Sequence, residues 1–221
     1  MKRFIIEKND FLSKNIPAFY SKDYIGYKRN GNPDFLNTLK NTFNSYPSSV
    51  LNGAVIELNN VLNEVLDIAY MHSEFNFGWP LTICVVPRAK TTYSPNQLLF
   101  HSTIQSFFSE IINDLQLAQY HEIWADGTEF IKRHTNTRTT HLPTTTPNYN
   151  NDGDIPYKGI TEKTCHISDE VKGKSILLID DIYTKGINID EDAIQALLNK
   201  GAEKVIFYSV AKTLPNRNLI L

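Results

Sequence analysis

Residues 174–201, KSILLIDDIYTKGINIDEDAIQALLNKG, constrain the fold more than any other stretch. Residues 176–179 form a continuous apolar run, too short for a helix and right for a strand buried on both faces. Two carboxylates, Asp180 and Asp181, follow where that strand is expected to end. Thr184, Lys185, Gly186 and Asn188 make a small, polar connection. Ala193, Ile194, Leu197 and Leu198 then recur at helical spacing, and Gly201 marks a helix C-terminus. Residues 205–210 read as the next strand, so the segment predicts one βαβ unit of a parallel sheet.

The loop at the carboxyl end of such a strand is where open α/β sheets bind ligands. A Thr-Lys-Gly turn entering a helix N-terminus supplies backbone N–H groups and a favourable dipole for a phosphate. Two adjacent acids repel a phosphate, yet they accept hydrogen bonds from sugar hydroxyls. A phosphorylated ribose meets both demands. The plain alternative is a strand–turn–helix whose acids are only solvated. A receiver domain is excluded, because too few residues follow Asp181 to supply its remaining strands.

The run Ile176-Leu177-Leu178-Ile179-Asp180-Asp181-Ile182-Tyr183-Thr184-Lys185-Gly186-Ile187-Asn188 resembles the signature of type I phosphoribosyltransferases. That signature is an apolar strand, two acids, a loop ending in Thr-x-Gly and a small hydroxyl residue. Ile187-Asn188 departs from it, standing where the family has an Ala/Thr-Thr/Ser pair. The resemblance implies an α/β fold with a Rossmann-like open, mainly parallel sheet and flanking helices. It also implies binding of 5-phosphoribosyl-1-pyrophosphate, with Asp180 and Asp181 on the ribose hydroxyls and residues 183–188 (Tyr183, Thr184, Lys185, Gly186, Ile187, Asn188) around the 5-phosphate. Mg²⁺ is expected as cofactor, held by pyrophosphate, ribose and water near the two acids and by no side chain directly.

Elsewhere, Val55, Leu58, Val61, Leu62, Val65, Leu66 and Ala69 give an amphipathic helix over 50–70. Residues 81–86 (LTICVV) read as a second buried strand, and Ser94-Pro95 as the cap and first turn of a helix over 95–117. The intervening loop carries Arg88 and Lys90, where the family has its pyrophosphate loop. Residues 122–125 and 130–131 read as short strands, and 159–167 as a strand at a sheet edge. Residues 132–156 are rich in Thr, Asn and Pro without periodicity. By resemblance they are a mobile loop, with Lys132, Arg133 and Arg138 as candidates for the pyrophosphate and His134 and His141 as weaker ones; the alternative is a solvated linker. Residues 1–50 are expected as an N-terminal or hood element over a phosphoribosyltransferase-like core spanning 51–221.

Thr184 stands where hypoxanthine-guanine salvage enzymes carry a third Asp, so the motif is similar to the orotate, amido and ComF-like form. Only Cys84 and Cys165 are present, which leaves no zinc module of several cysteines. The composition is ordinary, with 41% hydrophobic residues, 21% charged residues and net charge −2, giving no electrostatic argument for nucleic acid or a membrane surface. A cytoplasmic protein acting on small molecules is expected, with a homodimer implied by resemblance alone. The activity it implies is transfer of phosphoribosyl to an unidentified nitrogenous acceptor with release of pyrophosphate. A non-catalytic domain binding phosphoribosyl pyrophosphate or a nucleotide, and an assembly module without a ligand, are the alternatives.

Overall fold

A computed structural model describes residues 1–26, 29–41, 43–114, 122–140, 145–146, 149–153, 155 and 158–214. The elements in chain order are β1 (Lys2–Ile6), β2 (Ile16–Tyr24), α1 (Asp34–Leu39), α2 (Ser48–Leu62), a 3₁₀ turn (Asn63–Leu66), α3 (Asp67–Tyr70) and α4 (His72–Phe75). There follow β3 (Leu81–Val85), α5 (Pro95–Asn113), β4 (Trp124–Asp126), β5 (Ile131–Arg133), β6 (Thr145–Thr146) and β7 (Tyr149–Asn150). The last are β8 (Cys165–Ile167), β9 (Ser175–Tyr183), α6 (Ile189–Asn199) and β10 (Lys204–Thr213).

Six strands form one sheet in the order β1-β2-β10-β9-β3-β4. All neighbouring pairs are parallel except β1 with β2. The fold is therefore α/β with a mainly parallel central sheet and helices on both faces, as the βαβ pattern predicts. Side chains alternate along β9: Leu177 and Ile179 pack with α2 and α5, while Ile176 and Leu178 pack with α6. Both faces are dry, which is why residues 176–179 are uniformly apolar.

Within residues 1–50, β1 and β2 are strands of this sheet, and β2 pairs along β10 from Phe207↔Ala18 to Thr213↔Tyr24. The amphipathic run over 50–70 is a helix that changes to a 3₁₀ turn at Asn63. The strand expected over 159–167 is shorter: only Cys165–Ile167 is extended, pairing with β5 in a separate two-stranded sheet. Thr164 bonds the carbonyls of Gly159 and Thr161, so turn chemistry takes residues 159–164 out of the strand. The end of the helix expected to reach 117 lies outside the described residues, and α5 is described to Asn113. No described helix is long and apolar enough to cross a membrane.

Candidate functional site

The chain runs outward from β3 to β4 on one side and from β9 to β10 on the other. The order reverses between β3 and β9, which makes the crevice beyond their carboxyl ends the topological switch point of the sheet. The loop after β3 carries Arg88 there, and the end of β9 carries Asp180 and Asp181.

The two loops meet. Arg88 Nη1 donates to Asp181 Oδ2 at 2.6 Å, and the guanidinium lies 5.3 Å from the Phe100 ring centroid on α5. Burial works to lower the Arg88 pKa, and the charges of Asp181 and Asp180 more than offset it. Burial likewise works to raise the Asp181 carboxyl, but Arg88, helped by Lys40, outweighs it and holds the group at about 2. Arg88 Nη2 is buried without a hydrogen-bond partner.

The strand does not end before the acids. Pairing with β10 continues from Ser209↔Asp180 to Lys212↔Tyr183, with no pair at Asp181, and the side-chain alternation changes phase there: Ile182 packs on the side of Ile179, and Tyr183 on the side of Leu178. Asp181 goes with Arg88 toward α5, while Asp190 in the first turn of α6 is among the groups that act on Asp180. Burial first, and the Asp181 charge second, raise Asp180 to about 7, with Arg88 opposing.

Beyond Tyr183, Ile187 N donates to Thr184 O at 3.1 Å, closing a turn with Gly186 at φ +88°. Asn188 precedes α6 in the left-handed region at φ +61°, and its side chain makes no cap. Lys185 and Gly186 are exposed, and the amides of Lys185, Gly186 and Asn188 make none of the backbone hydrogen bonds outside helices and strands. Thr184 Oγ1 and Thr213 Oγ1, at the ends of β9 and β10, are 2.6 Å apart. The N-terminal segment reaches this turn: Lys185 Nζ donates to Glu7 Oε2 at 2.9 Å and Asn9 Nδ2 to Asn188 Oδ1 at 3.3 Å.

The first turn of α6 holds three buried acids in succession. Asp190 acts electrostatically on Asp180, Glu191 Oε1 accepts from the Tyr183 hydroxyl at 3.0 Å, and Asp192 Oδ2 accepts from Ile160 N at 3.0 Å. Burial raises all three above the ordinary carboxylate range. These acids were not singled out from the sequence, because acids in the first turn of a helix are common on dipole grounds alone.

The chain is similar to solved structures of hypoxanthine phosphoribosyltransferases. One carries glutamine at an invariant aspartic acid of those enzymes; identity is 11% over 73% of this chain and 79% of that one, with a TM-score of 0.36. The Trypanosoma cruzi enzyme gives 11% over 73% and 76%, with a TM-score of 0.37. No protein-family model matches the chain, and no curated protein does.

The remaining basic candidates are engaged within the protein. Lys90 Nζ donates to Asp152 O at 2.6 Å and Oδ1 at 2.9 Å. Arg133 donates from Nε to Arg88 O and from Nη1 to Gly159 O at 3.0 Å, so it braces the loop after β3. Lys132 pairs with Glu129 at 2.9 Å on the surface, and Arg138 Nε donates to Gly153 O at 3.2 Å. His134 lies against Thr135 Oγ1 and Glu162 O, and His141 lies outside the described residues. Thr137 N to Ala89 O at 2.8 Å fastens residues 132–140 further to the loop after β3. Cavities of about 1200 Å³ and about 620 Å³ lie elsewhere, the first between α6 and residues 158–167, the second beside residues 31–35.

Proposed function

We propose that this chain binds Mg-5-phosphoribosyl-1-pyrophosphate at the switch point and transfers its phosphoribosyl group to a nitrogenous acceptor in the cytoplasm, releasing pyrophosphate. The observation that carries this reading is the convergence of the β3 loop and the β9 end, seen in the Arg88–Asp181 contact, beside a turn with exposed amides. A phosphate fits a helix N-terminus whose amides are free. Ribose hydroxyls fit carboxylates, and Arg88 Nη2 is a donor left over for a pyrophosphate oxygen. No group of three or more His, Cys, Asp or Glu that could hold a metal occurs among the described residues. Mg²⁺, which the resemblance implies, keeps its waters and binds mainly through substrate phosphates, so the reading requires no cage of protein ligands. When bound, Mg²⁺ supplies charge neutralisation at the leaving group.

In the transfer, an acceptor nitrogen forms the new bond to the anomeric carbon as the bond to pyrophosphate breaks, and the electron pair leaves with pyrophosphate. Positive charge grows on the ribose ring, so the protein's work is positioning and electrostatic stabilisation. Asp180 and Asp181 would orient the ribose, residues 184–188 the 5-phosphate, and Arg88 the departing oxygens. The lack of an acid at Thr184 favours an acceptor unlike those of hypoxanthine-guanine salvage enzymes, nearer the orotate, amido or ComF-like form.

One observation favours a second reading, a non-catalytic sensor of the same ligand. Both cations of the β3 loop are already paired, Arg88 with Asp181 and Lys90 with Asp152. Calorimetric titration with Mg-5-phosphoribosyl-1-pyrophosphate tests both readings, and absence of heat at millimolar ligand sinks both. Pyrophosphate release across a panel of nitrogenous bases separates them. Changing Asp180→Asn together with Asp181→Asn should abolish binding in a folded chain; retention of binding would refute their assignment to ribose.

A further inference from the structure

Both helices that follow the site loops carry a long polar side chain three residues past the cap: Gln97 in α5 and Glu191 in α6. From that position a side-chain oxygen can return to the amides of its own helix start. Gln97 does so, accepting from Ser94 N at 3.0 Å. Glu191 does not. Its Oε1 accepts instead from the Tyr183 hydroxyl at 3.0 Å, across the turn of residues 184–188, and α6 is left without a side-chain cap.

The fold holds Tyr183 in place for this bond. The ring is buried, with the Phe4 centroid at 5.0 Å and the Phe207 centroid at 5.8 Å, so β1 and β10 fix its position. Burial first, and the Glu191 charge second, push the hydroxyl above its ordinary range, so it remains a donor at neutral pH. Glu191 is 2% exposed, and its Oε2 is buried without a hydrogen-bond partner. One hydroxyl therefore restrains a buried acceptor that lies within a helical turn of amides lacking intrahelical partners.

We propose that Tyr183 is a positioning residue for the phosphate: by holding the Glu191 carboxyl inside the fold, it keeps the amides at the start of α6 open to a phosphate monoester. This rests on the phosphoribosyl reading above. Without the hydroxyl, the Glu191 carboxyl is buried with neither oxygen served, which costs more than bonding the free amides of its own helix. It then caps α6 as Gln97 caps α5, and its negative charge stands where the phosphate would bind. The bond to Tyr183 thus prevents the helix from finishing itself.

Three variants of the full chain test this, by calorimetry with ribose 5-phosphate and by hydrogen exchange at the amides of residues 188–190. Tyr183→Phe keeps the packed ring and loses only the hydroxyl. It should weaken binding by about tenfold and slow exchange at those amides. Tyr183→Phe combined with Glu191→Met, whose uncharged thioether is only a weak acceptor, should restore wild-type binding and exchange. Glu191→Met alone should bind at least as tightly as the wild type. Equal binding by Tyr183→Phe and wild type would overturn the proposal, as would weaker binding with unchanged exchange. Weak binding in all three variants would overturn it too, because the Tyr183–Glu191 bond would then act as a clamp between β9 and α6. If the wild type does not bind ribose 5-phosphate, the phosphoribosyl reading falls. The exchange measurement then still decides whether Tyr183 holds Glu191 off the helix start, and unchanged exchange in Tyr183→Phe would show that it does not.

Discussion

The protein builds strand–loop–helix twice, as β3–α5 and β9–α6, and finishes the two helix starts in opposite ways. α5 opens on a complete capping box: Ser94 Oγ accepts from Gln97 N, and Gln97 Oε1 accepts from Ser94 N. Its first-turn amides are thus served by its own side chains, and a proline takes the first position. α6 has no side-chain cap, starts from a left-handed Asn188, and buries three acids in its first turn. The preceding loops also differ in sign, basic after β3 and acidic at the end of β9. A capped helix start is finished locally; an uncapped one beside orphaned buried carboxyl oxygens has work left for something else to complete.

Removing the contact that ties the two units should have the largest effect. Arg88→Met leaves Asp181 buried without its hydrogen-bonded cation, with only the more distant Lys40 charge, and loss of one partner from such a pair costs about 3–5 kcal/mol at neutral pH. The pair's side chains are 20% and 8% exposed, so solvent offers little compensation. Because Arg88 holds Asp181 low, its stabilisation is present above the unfolded carboxylate range and fades as pH falls through about 2. Without Arg88, burial governs Asp181 and raises it, so the gap between variant and wild type should close on acidification. Urea unfolding from pH 3 to 7 checks this; a gap that stays constant would mean Arg88 acts by packing on Phe100 alone.

The second unit should show the opposite pH trend. Burial first, and neighbouring carboxylate charge second, raise Asp180 and Asp190, so the native state binds more protons than the unfolded chain between the ordinary carboxylate range and about 7. Stability should fall as pH rises through that window, with a slope of up to about 1.4 kcal/mol per pH unit for one proton. Asp190→Asn should flatten that slope, and an unchanged slope would break the contrast between the two units.

The parts of this architecture visible in the sequence are those fixed locally. Residues 176–179 announce a strand because nothing but a doubly buried one is so uniformly apolar, and Ser94-Pro95 announces a helix start because capping chemistry is local. The join of β2 to β10 was invisible, since the partners lie at opposite ends of the chain and no periodicity encodes pairing over that distance. The extent of β9 past the acids was not legible either. The sequence suggested a stop at the acids, while pairing with β10 carries the strand on to Tyr183. Asp190 was missed for the same reason: its neighbour is chosen by docking of α6 on the sheet. Arg133 was a candidate of a mobile loop by resemblance, with a solvated linker as the alternative; its donation to the Arg88 carbonyl depends on how β5 is placed, which no local pattern encodes.

The helix starts themselves are the next place to press. Ser94→Ala removes the cap of α5 and should cost about 1 kcal/mol. It should leave ribose 5-phosphate binding unchanged, since the side chains at that end bond Gln97, Asn41 and Asn44 and none of the β9–α6 unit; weaker binding would show that the two units are coupled beyond Arg88.

Asn188 gives the smallest and most discriminating effect. The family signature has a hydroxyl residue here, and the left-handed backbone explains why this chain does not: Asn tolerates φ +61°, whereas a β-branched Thr there is a steric outlier. Its side-chain contacts, to Gly186 O at 3.1 Å and from Asn9 at 3.3 Å, are exposed and worth little. Asn188→Gly keeps the turn and gives up only those contacts, so thermal unfolding should change by about 0.5 kcal/mol or less. Asn188→Thr should cost more, about 1–2 kcal/mol. If ribose 5-phosphate binds Asn188→Gly as it binds the wild type, the turn offers the phosphate its backbone amides, and the residue at 188 serves only to hold them in place. Loss of binding in the glycine variant would instead make the Asn188 amide a ligand contact, and would turn the departure from the family pattern into a substitution of one phosphate donor for another.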